Sequence, residues 1–156
     1  MKEKMTIILF SGNLDKAIAA FILATTAAST NMDVSIFFTF WGLNIIKKNR
    51  FAVKKSQNIL QKIFNILSTK FLPLSRMNML GLGPLAMKIL MKKTKMANLE
   101  ELIGLAKQLG VKFIVCTTSC GVLGLSKEDF IDKVDDFVGA AAYLAEGKNS
   151  KINLFI

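Results

Sequence analysis

Met5-Thr-Ile-Ile-Leu-Phe10 runs without a charge into Ser11-Gly12-Asn13, and the alanine-rich stretch Leu14–Ser29 follows at once. A short, continuous apolar run is the pattern of a strand buried on both faces. Ser-Gly-Asn punctuates it, and Asn13 is placed to N-cap the helix behind it. Asn31 is placed to stop that helix in a left-handed conformation. A second strand is expected over Val34–Phe40, where β-branched and aromatic residues crowd before Trp41-Gly42.

Working outward, Asn98 stands three residues before Glu101, the spacing of a capping box. Leu99, Leu102, Ile103, Ala106 and Leu109 then line one helical face, and Gly110 ends it. Val111–Val115 reads as the third strand, Cys116–Gly124 as a polar loop, Lys127–Lys133 as a short helix capped by Ser126, Asp136–Glu146 as a helix, and Ile152–Ile156 as the last strand. Strands separated by helices imply parallel pairing through right-handed crossovers. The expected fold is α/β: a three-layer sandwich with a mainly parallel sheet, of flavodoxin or Rossmann type. Ligands in such sheets bind beyond the carboxyl ends of the strands. Those ends are Ser11-Gly12-Asn13, Phe40-Trp41-Gly42 and Cys116–Gly121.

The chain has 156 residues, enough for one domain. A domain of this size buries roughly 70% of its unfolded surface, and 52% hydrophobic residues supply the core. Histidine is absent, which excludes histidine triads, imidazole metal ligands and histidine acid–base work. With only two cysteines, any metal site would need carboxylates, and no cofactor is expected. The longest charge-free run, Ala17–Met32, falls short of the roughly 20 residues of a membrane span and reads as a buried helix. No targeting peptide is legible before the first strand, and a reducing, cytoplasmic setting is expected.

The net charge of +10 is concentrated in one stretch. Residues 42–98 carry twelve Lys or Arg and no acid. Residues 43–96 are therefore read as a basic helical insert in a single domain spanning 1–156. Within it Lys54–Lys70 is an amphipathic helix, and Met77, Met79, Met87, Met91 and Met96 follow around Gly81-Leu-Gly-Pro84. Such charge suits an anionic membrane surface or an acidic partner protein. Nucleic acid fits poorly, because few aromatics are free to stack. Ile59, Ile63, Phe64, Leu67, Met77, Met79, Met87 and Met91 exceed what a core already covered by the helices at 14–29, 99–109 and 136–146 absorbs. Their burial is expected in a homo-oligomer, or against a partner or a bilayer.

At the strand ends, Val115-Cys116-Thr-Thr-Ser-Cys120-Gly121 places one thiol at the carboxyl end of a strand and a second four residues on. A thiolate there would draw on helix N-termini, loop amides and the hydroxyls of Thr117, Thr118 and Ser119. A buried cysteine acting as a small hydrophobe is the plain alternative. Ser11, Gly12 and Asn13 lack both phosphate-loop patterns. Lys16 reads either as facing the crevice or as a solvated lysine, and Trp41 as a pocket wall or ordinary packing.

Several of these stretches together resemble the DsrE/DsrF-like family, in its DsrE-related, peroxiredoxin-like branch. They are Ser11-Gly-Asn-Leu-Asp-Lys-Ala17, Phe37-Phe-Thr-Phe-Trp-Gly-Leu43, Pro73-Leu-Ser-Arg-Met-Asn-Met79 with Gly81-Leu-Gly-Pro84, Leu99-Glu-Glu-Leu102, Gly110-Val-Lys-Phe-Ile-Val-Cys116 and Gly139-Ala-Ala-Ala-Tyr-Leu144. The resemblance implies an α/β sandwich that oligomerises and a sulfur-relay role, in which the strand-end cysteine carries sulfur as a persulfide between thiol-bearing donor and acceptor proteins. Cys116 falls at that position. Relatives of this branch follow it with a Met-Ser-Met-Asp type loop, where this chain has Thr118-Ser119-Cys120-Gly121. The second thiol raises the prospect of an internal disulfide. The expected site is Cys116 and Cys120, lined by Ser11, Gly12, Asn13, Lys16, Trp41, Gly42, Thr117, Thr118, Ser119 and Gly121. The rival reading is a non-catalytic scaffold that works through its basic insert.

Overall fold

In a computed structural model of the chain, residues 2–48, 58–67, 72–76 and 78–156 are described. Five strands, β1 (Lys4–Leu9), β2 (Asp33–Phe38), β3 (Lys112–Cys116), β4 (Asp136–Val138) and β5 (Ile152–Phe155), form one sheet in the order β4-β3-β2-β1-β5. Every pairing is parallel. The register aligns Leu9 with Phe38, Phe38 with Val115, and Cys116 with Val138, so the carboxyl ends share one edge.

Helices α1 (Leu14–Ser29) and α4 (Leu99–Gln108) pack on each other across one face of the sheet. Alternation along the strands sends Ile7, Leu9, Ile36, Phe38, Phe113 and Val115 to that side, into the main core. Helix α6 (Ala140–Gly147) connects β4 back across the sheet to β5 and so covers the opposite face, where Tyr143 packs with Phe37, Ile114 and Cys116. The Phe37 and Tyr143 rings stack at 4.5 Å.

The helix boundaries follow their signals. Asn13 takes the extended N-cap conformation, although its side chain makes no cap bond and instead accepts from the Ser11 hydroxyl at 2.9 Å. Asn31 adopts φ 69° at the far end. Asn98 and Glu101 form a full capping box, and Gly110 closes α4 at φ 80°.

Three expectations are corrected. The segment read as a loop, Cys116–Gly124, is helix α5 (Thr117–Leu123), nucleated where β3 ends although Thr, Ser, Cys and Gly are weak helix formers. The helix expected over Asp136–Glu146 begins as strand: β4 takes Asp136–Val138 as an edge, and α6 starts only after Gly139. The Asp135 carboxylate accepts the Phe113 N–H at 2.7 Å and draws that chain against β3. The helix expected over Lys127–Lys133 shrinks to one 3₁₀ turn, Lys127–Asp129, because Phe130 is buried and the Ile131 N–H donates to Ile46 at 2.9 Å.

Of the basic stretch, Leu43, Ile45 and Ile46 lie in the main core. Helix α2 spans Ile59–Leu67 within the expected Lys54–Lys70; residues 54–57 and 68–70, and Met77, lie outside the described residues. Helix α3 follows at Leu82–Lys93. Ile59, Leu60, Met79, Leu80, Leu82 and Leu85 are exposed. Met91 is buried and Met87 half-buried against the chain's own core, so these two methionines do not join the exposed set as expected. Among the described residues no helix is long and apolar enough to cross a membrane.

Candidate functional site

Cys116 is both the last residue of β3 and the N-cap of α5. Its side chain lies on the α6 face and is buried. Two elements bring hydroxyls to it. Ser119 sits in the first turn of α5, and Thr39 follows β2, the strand paired with β3. The Thr39 and Ser119 hydroxyl oxygens are 2.7 Å apart and buried. One hydroxyl donates to the other, whose own hydrogen is then free for the sulfur, so the two act on it as a chain in a buried site.

Burial pushes the Cys116 thiol up. The Ser119 hydroxyl and N–H, the Thr39 hydroxyl and the Thr118 N–H outweigh that burial and hold the pKa below the ordinary thiol value. The two amides approach the sulfur short of full cap geometry and act on it electrostatically. Cys120, one helical turn on, is the opposite case. Burial, then the negative charges of Cys116 and Asp129, push it up to about 11. Asp129 is held there by the capping box with Ser126, whose N–H donates to its carboxylate at 2.7 Å. Both thiols are free. The pair is thus split into one thiol held below the ordinary pKa and one held above it.

The remaining expected residues divide into frame and periphery. Thr39 is anchored by its N–H to the Leu9 carbonyl at 3.1 Å, and the Gly42 N–H reaches Phe10 at 2.8 Å. A side chain at Gly42 would put Cβ 1.9 Å from the Leu9 oxygen, and one at Gly12 would put it 2.8 Å from the Trp41 oxygen. These glycines let the carboxyl ends of β1 and β2 close on each other and so position Thr39. Ser11 is buried in its own turn with Asn13. Lys16 is exposed on α1, which packs on the face opposite the Cys116 side chain, and is not among the groups that lower its pKa. Thr117 and Thr118 are exposed at the start of α5. The Gly121 and Val122 carbonyls accept from the Gln61 side chain of α2 at 3.4 and 3.2 Å. Among the described residues no three Cys, Asp or Glu side chains are grouped to hold a metal ion.

Thr39 is the residue that sequence reasoning missed. Within an expected strand it looked like one more β-former, and only the β2–β3 pairing reveals it beside Cys116. Its neighbour Phe40 carries φ 46°, a left-handed conformation costly for a bulky side chain. That turn leaves Phe40 exposed against Phe10 (ring centroids 5.5 Å), which stacks in turn on Phe155 (5.8 Å). With Trp41, these rings form an aromatic strip along the carboxyl edge of β2, β1 and β5.

Known proteins agree with this architecture. The chain is 40% identical over 161 residues to the uncharacterized protein YrkE of Bacillus subtilis, covering 99% of this chain and 97% of that protein. It is 35% identical over 163 residues to the sulfur carrier protein DsrE2 of Allochromatium vinosum, covering 99% of each. Among solved structures, the ychN protein from E. coli superposes with a TM-score of 0.59 at 11% identity over the whole of both chains. A protein of unknown function from Methanobacterium thermoautotrophicum, MTH1491, gives 0.58 at 9% identity, covering 99% of this chain and 100% of that one. At those identities the likeness is one of fold. A family model described as DsrE/DsrF/DrsH-like matches residues 1–155, and together with the two sequence relatives it establishes that the chain belongs to the DsrE/DsrF/DrsH-like family.

Proposed function

We propose that the protein is a sulfur carrier that holds sulfane sulfur as a persulfide on Cys116 and passes it between thiols. The observation that carries this reading is the contrast between the two thiols: Cys116 held below the ordinary thiol pKa, Cys120 pushed up to about 11. The family, and a relative of matching length named a sulfur carrier protein, support it.

Loading is a thiolate displacement. The Cys116 thiolate attacks the outer sulfur of a donor persulfide; a new S–S bond forms at Cys116, the donor's own S–S bond breaks, and the donor leaves as thiolate. In unloading, an acceptor thiolate attacks the terminal sulfur and Cys116 departs as thiolate. Sulfur moves with no net oxidant and no general base, which suits a chain without histidine. Cys120, protonated at neutral pH, leaves the persulfide intact. Once ionised, it would attack the Cys116 sulfur, close a disulfide and expel hydrosulfide. Cys120 is thus the resolving thiol, silent under ordinary conditions.

Donor and acceptor are thiol-bearing proteins that reach Cys116 over the aromatic strip. The exposed apolar residues of α2 and α3 favour an interface as well. We assign them to a homo-oligomer of single-domain chains, with an anionic membrane surface as the alternative cover. The relay belongs in the reducing cytoplasm, where free thiols persist. The test is transfer: protein loaded from a sulfane-sulfur donor and freed of it should hand its sulfur to a small acceptor thiol, regenerating a free Cys116. Failure to pass sulfur on would leave the scaffold reading in its place.

A further inference from the structure

A cavity of about 720 Å³ lies away from the cysteines, between α1, α3 and the first turn of α4. That volume is in the range of small-molecule sites. Its floor is apolar and closed: Leu14, Ile18, Leu72, Pro84, Met91 and Leu99 are all buried. Along one wall stand Lys88, Lys92 and Lys95, spaced so that α3 and its C-terminal turn present them on one side. No ion pair of these lysines occurs among the described residues. Two acids also line the cavity. Glu101 is engaged, its carboxylate accepting the Asn98 N–H at 2.8 Å, and Glu100 lies in the first turn of α4, where the helix dipole favours it.

Two features set this wall apart from an ordinary solvated face. Helix α3 carries Lys88 and Lys92 at exposed positions on the cavity wall, while Leu82, Leu85, Ile89 and Leu90, which do not line the cavity, are exposed as well, so its surface away from the cavity is largely apolar. Lys95 also adopts φ 55°, at a position where glycine or asparagine is the usual occupant.

We propose that this cavity binds a single-chain amphiphile with an anionic head, a long-chain carboxylate, whose alkyl chain lies on the apolar floor and whose head meets Lys88, Lys92 and Lys95. The site is on the α1–α4 side of the sheet and independent of the chemistry at Cys116.

Calorimetric titration of the full chain with octanoate, decanoate and dodecanoate, each below its micellar concentration, tests this. One saturable site is expected, tightening roughly tenfold for each two carbons added, because each buried methylene contributes about equally. The Lys88→Gln, Lys92→Gln, Lys95→Gln triple variant, altered only at exposed positions, should bind dodecanoate about tenfold more weakly, and dodecyltrimethylammonium should not bind the parent. No saturable binding, indifference to chain length, or undiminished binding by the triple variant would overturn the proposal. So would adsorption to phosphatidylglycerol vesicles without binding of the monomeric carboxylates.

Discussion

The hydroxyls of Thr39 and Ser119 meet at 2.7 Å in a buried position, joining the end of β2 to the first turn of α5 beside the Cys116 sulfur. Each is therefore expected to matter to the thiolate, and removing either also costs about 1–3 kcal/mol of stability, because its buried partner loses a hydrogen bond. In Thr39→Val and Ser119→Ala, the midpoint of Cys116 alkylation against pH should rise by about one unit, the scale of one hydrogen bond to a charged group. The rate at neutral pH should fall about three- to tenfold. An unmoved midpoint in both variants would show that the hydroxyls do not tune the sulfur.

The raised pKa of Cys120 has a consequence for stability with a defined sign. Between an ordinary thiol pKa near 8.5 and the folded value of about 11, the unfolded chain has lost this proton while the folded chain keeps it. The folded state binds more protons there, so stability falls as pH rises through that window. Melting temperatures at pH 8 and pH 10.5 should drop further for the parent than for Cys120→Ala. Equal drops would place the Cys120 thiol in an ordinary environment.

Gly42 and Gly121 make a paired test of the frame. A Cβ at Gly42 meets the Leu9 carbonyl at 1.9 Å, whereas one at Gly121 meets nothing within 4 Å. Gly42→Ala should destabilise by about 3 kcal/mol, at the upper end of overpacking costs. Gly121→Ala, inside α5, should stabilise by about 0.5–1 kcal/mol. Denaturant melts read both, and a tolerated alanine at position 42 would mean that β1 and β2 do not close as described.

Much of this was legible in the order of residues. A continuous apolar run marks β1, β-branched and aromatic residues mark β2, and Asn98 with Glu101 mark the start of α4, because burial on both faces and capping leave local signatures; β3 and β5 carry weaker ones, interrupted by Lys112 and Asn153, and β5 is a largely exposed edge. Cys116 was placed by its position at the end of β3. Two elements had no such signature. β4 is three residues long, too short to show a period, and α5 is built of weak helix formers that only the end of β3 organises. Thr39 was illegible for a related reason: its role comes from a pairing between strands more than seventy residues apart. Lys16 was readable as a crevice residue only while the face of α1 was unknown.

The exposed Leu82, Leu85 and Ile89 make a prediction about assembly. Sedimentation at micromolar concentration should show an oligomer for the parent and a monomer for Leu85→Glu with Ile89→Glu, with the Cys116 alkylation midpoint unchanged. A monomeric parent that pellets with anionic liposomes would assign the surface to a membrane. A monomer that ignores liposomes would mean that these side chains remain in water.

The claim that Cys116 is the sulfur-bearing residue is met most directly by intact mass after exposure to a sulfane-sulfur donor. The parent and Cys120→Ser should each gain one sulfur atom, removed by dithiothreitol, and Cys116→Ser should gain none. Loading of Cys116→Ser to the level of the parent would contradict the account.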